Sequence, residues 1–260
     1  MNPDLLLSRI RVVLCCPAHP GNIGAAARAM KTMGLTRLHL VTPKLFPDQV
    51  ATDRAAGADD LLEAAQCHKS IDEALSGVHF ALGMSARTRD LGPQQEGVRD
   101  GVVRLVEEAA CGEVALVFGN EATGMSNDEL LRCHAVAKIP TNPDFSSLNL
   151  GAAVQVLSYE VRMAILGANG PQGSEVARSS GIPATNAELE GFYGHLQQLM
   201  TDTGFFNPEQ PGRLMQKIRK LFGRARLERE EINILRGVLA SAQTPTGHAG
   251  CRLRSKAEDN

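Results

Sequence analysis

The stretch 139–160, IPTNPDFSSLNLGAAVQVLSYE, passes from a polar, proline-bearing loop straight into a long apolar segment. Pro140 and Pro143 keep the chain out of helix until the serines, because proline fixes φ and disfavours helix in the residue before it. From about Leu148 to Leu166 the spacing of apolar positions predicts a helix. Just upstream, AVAKIP (135–140) has the short apolar character of a strand, so the unit reads strand, loop, helix.

The same unit recurs toward the N-terminus. RIRVVLCC (9–16) precedes NIGAAARAMKTMG, TRLHLVT (36–42) precedes helical segments through residue 76, VHFALGM (78–84) precedes VRDGVVRLVEEAACG, and VALVF (114–118) precedes NDELLRC. Ser70 with Glu73 and Ser126 with Glu129 have capping-box spacing. The alternation predicts an α/β fold, a parallel sheet with helices on both faces, over residues 1–166. Residues 167–183, rich in Gly, Pro and Ser, read as a linker. Beyond it, a Thr185/Glu188 capping box leads a face of Leu189, Phe192, Tyr193, Leu196 and Leu199. Leu214, Met215, Ile218, Leu221 and Phe222 form a second face, and Ile232, Leu235, Val238 and Leu239 a third, so 184–242 is expected to be a small all-helical domain. The tail 243–260 reads as disordered.

With 43 % hydrophobic and 22 % charged residues, the 260-residue chain has the composition of a soluble globular protein. Its net charge of -2 offers no global attraction to nucleic acid, so any such partner must meet a local patch. The cysteines at 15, 16, 67, 111, 133 and 251 form no CxxC pair and have no histidine placed to complete a zinc site; reduced thiols and no metal are expected. Arg9 and Arg11 interrupt the first apolar run, which argues against a signal peptide or membrane span and for the cytoplasm.

Ligands of an open parallel sheet bind beyond the carboxyl ends of the strands, so functional residues are expected in the loops there. After the first strand, Asn22 is placed to cap a helix on which Gly24, Arg28 and Lys31 share a stripe; Arg28 either reaches back over Gly24 toward the strand end or faces solvent. SARTRDLGPQQEG carries Arg87 and Arg89 on a long loop. GNEATGMS places Glu121 at the mouth of an apolar strand, as a helix-terminus partner or for a ligand. In FSSLNLG (145–151) one serine suffices as cap, which leaves the second serine and Asn149 for something else. If their strands are neighbours, the last three loops share one pocket. No GxGxxG, GxxxxGK[ST], HExxH or GxSxG is present, and the second strand ends without the acidic residue a nicotinamide cofactor's ribose would want.

Three ordered segments, NIGAAARAMKTMGL (22–35), LVFGNEATGMSNDEL (116–130) and IPTNPDFSSLNLGAAVQVLSYE, resemble the signature motifs of the SPOUT superfamily of RNA methyltransferases, in particular its TrmH-like 2′-O-ribose methyltransferases. With a helical extension the pattern is similar to the branch that methylates ribose 32 in the tRNA anticodon loop, although the extension matches mainly in length and helical character. The resemblance implies S-adenosylmethionine as methyl donor, tRNA as partner, a trefoil knot within about 78–150, and a homodimer in which Arg28 completes the other subunit's site. It places catalytic positions at Asn22, Arg28, Glu121, Ser147 and Asn149. The cofactor is expected against Met84, Ser85, Ala86, Gly119, Ile139, Ser146, Ser147 and Leu148. For RNA the expected contacts are Arg28, Arg87 and Arg89, and Lys217, Arg219, Lys220, Arg224 and Arg226 from the densest basic cluster in the chain. Alternatives are a methyltransferase for another tRNA or rRNA site, a non-enzymatic RNA-binding member of the fold, and, weakened by the missing motif, a nicotinamide oxidoreductase.

Overall fold

The computed structural model describes residues 2–85, 93–167 and 182–243. Most of the expected linker and nearly all of the expected tail lie outside them. Seven strands form a wholly parallel sheet: β1 (Ile10–Cys15), β2 (Arg37–Val41), β3 (Gln66–His68), β4 (Val78–Met84), β5 (Gln94–Gly97), β6 (Glu113–Phe118) and β7 (Ala135–Lys138). Their order is β3-β2-β1-β6-β4-β7-β5. The helices of this layer are α1 (Pro3–Ser8), α2 (Pro20–Met33), α3 (Gln49–Ala55), α4 (Asp59–Glu63), α5 (Ile71–Ala74), α6 (Val98–Ala109), α7 (Asn127–Leu131) and α8 (Leu150–Gly167).

The two faces are covered unequally. Ile10, Val12 and Leu14 of β1 pack into a large core with α1, α2, α3, α4, α6 and α8, while Val13 and Cys15 face a smaller core closed by α5 and α7. On the thick side, helices approach to backbone contact at glycines. A Cβ on Gly24 would lie 2.0 Å from the Ala51 carbonyl oxygen of α3, and one on Gly151 2.7 Å from the Ala25 Cβ, so α2 is wedged between α3 and α8.

Three short elements depart from the sequence reading. Residues 66–68, expected within a helical stretch, form the edge strand β3, and QQEG, expected as loop, forms the opposite edge strand β5. Both are held by backbone pairing to a single neighbour. Residues 3–8 form α1, capped by the Asn2 side chain, which accepts from Asp4 N at 3.0 Å. Insertion of β4 between β6 and β7 is consistent with the knotted passage that the resemblance implies.

After residue 182, α9 (Asn186–Asp202), α10 (Leu214–Ala225) and α11 (Arg229–Gln243) enclose a separate core of Ala184, Phe192, Tyr193 and Ile232. Leu221 and Val238, expected inside it, are 54 % and 61 % exposed. The Thr185/Glu188 and Ser126/Glu129 capping boxes are complete; at Ser70 the hydroxyl caps Glu73 N, but the Glu73 carboxylate turns to Lys69 N. These helices dock at the amino-terminal edge of the sheet, where His79 Nδ1 lies 3.1 Å from the Pro183 carbonyl and Arg226 pairs with Glu108.

Candidate active site

Because β6, β4 and β7 are adjacent, the loops that follow them meet at the carboxyl-terminal edge of the sheet. They enclose a cavity of ≈ 170 Å³, open along one side, so that a ligand larger than it would be partly solvated. Met84, Ser85, Gly119, Ile139, Ser146, Ser147 and Leu148 all line it, whereas Ala86 lies outside the described residues. The sequence reading missed Phe118, Asn120, Met125 and Thr141 in the same wall. Asn120 could have been found as an Asx-turn former after a strand. Its Oδ1 accepts from Ala122 N at 2.8 Å, and its Nδ2 donates to the Cys16 carbonyl at 2.8 Å, tying the β6 loop to the β1 loop.

A second tie runs through Glu121. Helix α2 begins at Pro20 with His19 as its N-cap, and His19 supplies no side-chain cap. The Glu121 carboxylate, from another loop, instead ties down the entry to the helix, accepting from Ala18 N at 2.8 Å, His19 N at 3.2 Å and Asn22 Nδ2 at 2.9 Å. Asn22 is therefore not the cap that its position suggested; it sits inside the first turn and passes the network on. Its Oδ1 accepts from Asn149 Nδ2 at 2.8 Å. Burial alone would raise the Glu121 pKa, but the hydrogen bonds from Ala18, Asn22 and His19 outweigh it and hold the carboxyl below its ordinary range.

Asn149 also corrects the reading of the serines. Its Oδ1 accepts from Gly151 N at 2.9 Å and Ala152 N at 3.4 Å, so the asparagine caps α8 and neither serine does. The Thr141 hydroxyl donates to the Ser146 carbonyl at 3.1 Å and pins the turn. Ser147 is exposed on the cavity rim, and its hydroxyl makes no hydrogen bond to another described residue. Asn22, Glu121 and Asn149 are thus one connected chain, with Ser147 two residues from its end. Arg28 is not part of it. It is exposed on α2, and the route back over Gly24 is filled by the backbone of α3.

Residues 9–159 match the SpoU rRNA methylase family, and residues 187–254 match the C-terminal domain of the tRNA methyltransferase TrmJ. The tRNA (cytidine/uridine/adenosine-2′-O-)-methyltransferase TrmJ of Pseudomonas aeruginosa is 49 % identical over 92 % of this chain and 95 % of its own length. The chain belongs to the TrmJ family of tRNA methyltransferases. The tRNA (cytidine/uridine-2′-O-)-methyltransferase TrmJ of Salmonella typhimurium is 48 % identical, across 92 % of this chain and 98 % of its own. The crystal structure of TrmJ from Z. mobilis superposes with a TM-score of 0.78 at 30 % identity, covering 90 % of this chain and 99 % of that one.

In this TrmJ-family chain the basic helix α10 divides its charges between two uses. Lys217, Lys220 and Arg224 are exposed along one stripe. Arg219, expected to contact RNA, instead forms a two-pronged pair with Glu190, at 2.5 and 2.7 Å, and lies 4.4 Å over the Tyr193 ring. Arg226, also expected there, is bound to Glu108 of α6. Both are spent on holding helices together: Arg219 meets α9, and Arg226, just past the end of α10, meets α6. Arg87 and Arg89 lie outside the described residues.

Proposed function

We propose that the protein transfers the methyl group of S-adenosylmethionine to the 2′-hydroxyl of a ribose in tRNA, at position 32 of the anticodon loop. The observation that carries this reading is the cavity at the ends of β4, β6 and β7, with Ser147 Oγ unbonded on its rim beside the start of α8. Its residues suit that donor. Phe118, Met125, Ile139 and Leu150 offer apolar surface for a flat ring, while Thr141, Ser146 and Ser147 bring hydroxyls for a sugar and polar ends. When bound, S-adenosylmethionine supplies a methyl group activated on a sulfonium.

The chain's own task is positioning, which in methyl transfer contributes most of the gain. Ser147 orients the ribose hydroxyl. Asn149 acts indirectly, since both ends of its amide are occupied in fixing α8 to α2. Glu121 fixes the start of α2, and Asn22 joins the two. Arg28, arriving across a dimer interface, clamps the ribose and adjacent phosphate and lowers the hydroxyl's pKa; a phosphate oxygen or water takes the proton, because guanidinium does not deprotonate. The dimer reading is supported by Tyr159, Met163 and Leu166, an exposed apolar stripe on α8. Residues 1–166 serve catalysis and 184–242 hold tRNA through Lys217, Lys220 and Arg224, with Arg87 and Arg89 near the target loop. The cytoplasm is where both substrates meet; no helix among the described residues is long and apolar enough to cross a membrane.

The test is methyl transfer from labelled S-adenosylmethionine to unmodified bulk tRNA, followed by mapping of the product nucleoside. A 2′-O-methylpyrimidine at position 32 is the expected result. Methylation elsewhere in tRNA or in rRNA would overturn the position and keep the chemistry; cofactor binding without transfer would point to the non-enzymatic reading.

A further inference from the structure

A second cavity lies away from the carboxyl-terminal edge. A cleft of ≈ 350 Å³ lies where α10 meets the amino-terminal edge of the sheet, beside the first residues of β5 and β7. Five cationic side chains line it: Arg104 from α6 and Arg219, Lys220, Arg224 and Arg226 from α10 and its end. Against them stands one lining carboxylate, Glu96, paired with Arg104 at 2.5 Å. Among the described residues Glu190 and Glu108 reach Arg219 and Arg226 from outside the lining, which itself carries five cations against one carboxylate.

The floor is built. Phe80 carries the Arg104 guanidinium 4.5 Å above its ring, with the His134 ring 5.7 Å away. The His134 tautomer is fixed, because Nδ1 accepts from Ala81 N at 3.0 Å and the proton must sit on Nε2. Burial first, then the nearby Arg104 and His79, depress this imidazole to about 4, so it presents a neutral N–H donor at any physiological pH. Arg104 Nε is buried without an acceptor. Arg226 is held below its ordinary pKa by burial and by Arg104 alongside it. Like charges from two domains are therefore brought together over a donor-lined cleft, an arrangement that costs free energy unless an anion shares it.

We propose that this cleft binds a phosphate group, held between Arg104 and His134 of the catalytic layer and Lys220 and Arg224 of α10. Phosphate suits it because guanidinium forks match its oxygens in pairs and the neutral imidazole donates without needing charge. Bound there, the anion clamps α10 against the catalytic layer on the side of the sheet opposite the methyl-transfer site. The group could come from an RNA backbone or a small phosphorylated molecule. The proposal does not depend on methyl transfer.

The experiment is calorimetric titration of the full chain with inorganic phosphate against chloride at matched ionic strength, with the His134 ring resonances followed by NMR. Saturable binding that shifts His134 is expected. Arg224→Glu should weaken it about tenfold or more, and Glu96→Gln, which removes the lining carboxylate, should tighten it. The opposite signs of these two variants exclude a general loss of folding as the cause. Competition between phosphate and tRNA would assign the group to the RNA backbone, while undiminished tRNA binding at saturating phosphate would assign it to a small ligand. Absence of saturable binding beyond the chloride control, or binding that leaves His134 unmoved, would overturn the proposal.

Discussion

The two ends of the sheet use polar side chains in opposite ways. At the carboxyl-terminal edge, Glu121, Asn22 and Asn149 are consumed in one hydrogen-bonded chain, and what they leave exposed is the Ser147 hydroxyl and the cavity behind it. At the amino-terminal edge, Arg219 and Arg226 are consumed in ion pairs, and what remains outward is Lys217 and Arg224. In both places some members of a cluster build the frame and the others stay exposed. The division is set by which face of a helix meets a neighbour.

The largest expected effect lies with a residue in neither framework. Arg28→Ala should lower single-turnover methylation at saturating tRNA by about 10²–10³-fold while leaving the melting temperature unchanged; a near-wild-type rate would remove Arg28 from the chemistry. Next comes Glu190→Ala, which strands the largely buried Arg219. It should destabilise the helical domain by roughly 2–3 kcal/mol, read as faster hydrogen exchange across 186–243, with cofactor affinity unaltered. If exchange does not change, Arg219 is not part of the frame.

The opposite edge is probed by a double-mutant cycle on Asn22→Ala and Asn149→Ala. Each single change should cost about 1–2 kcal/mol and the pair should couple by about 0.5–1.5 kcal/mol in denaturant unfolding. Strict additivity would mean the 2.8 Å bridge between them carries nothing. Lys217→Ala should leave stability within about 0.5 kcal/mol and reduce the log–log salt slope of tRNA binding by about 1. An unaltered slope would take that face of α10 off the RNA. The smallest effect is that of pH on Glu121. Its folded pKa lies below the ordinary 4.5, so its contribution is complete above that value and lost as pH falls through the folded pKa. Glu121→Gln should flatten the acid limb of a stability–pH profile, and an unchanged limb would deny the carboxylate its role at the start of α2.

The inner sheet was legible because its strands are mostly apolar: β1, β2, β4 and β7 fall within the segments that the sequence marks, and β6 exceeds its segment by Glu113 alone. Both edge strands were missed, since Gln66–His68 and Gln94–Gly97 show no apolar run. That the three loops meet at one cavity was legible from their position. Who caps whom within them was not, because Ser147, Asn149 and Asn22 are equally able to cap and only the path of α8 past Gly151 decides that Asn149 does. The ion pairs of the basic cluster were illegible for the same reason: Glu190 and Glu108, which claim two of its members, lie 29 residues before Arg219 and more than a hundred before Arg226.

The pairing of β1 with β6 sets an order in time. Ile10 sits beside Val114, so the middle of the sheet cannot close until the chain has been made that far. At ~5–20 residues per second of synthesis, β1 therefore waits on the order of 5–20 s with its free edge unpaired. During that interval the side of β1 that β6 will take leaves backbone groups of Ile10–Cys15 without their partner. The nascent chain is most exposed to wrong partners there, at the strand that becomes one of the most buried in the finished protein.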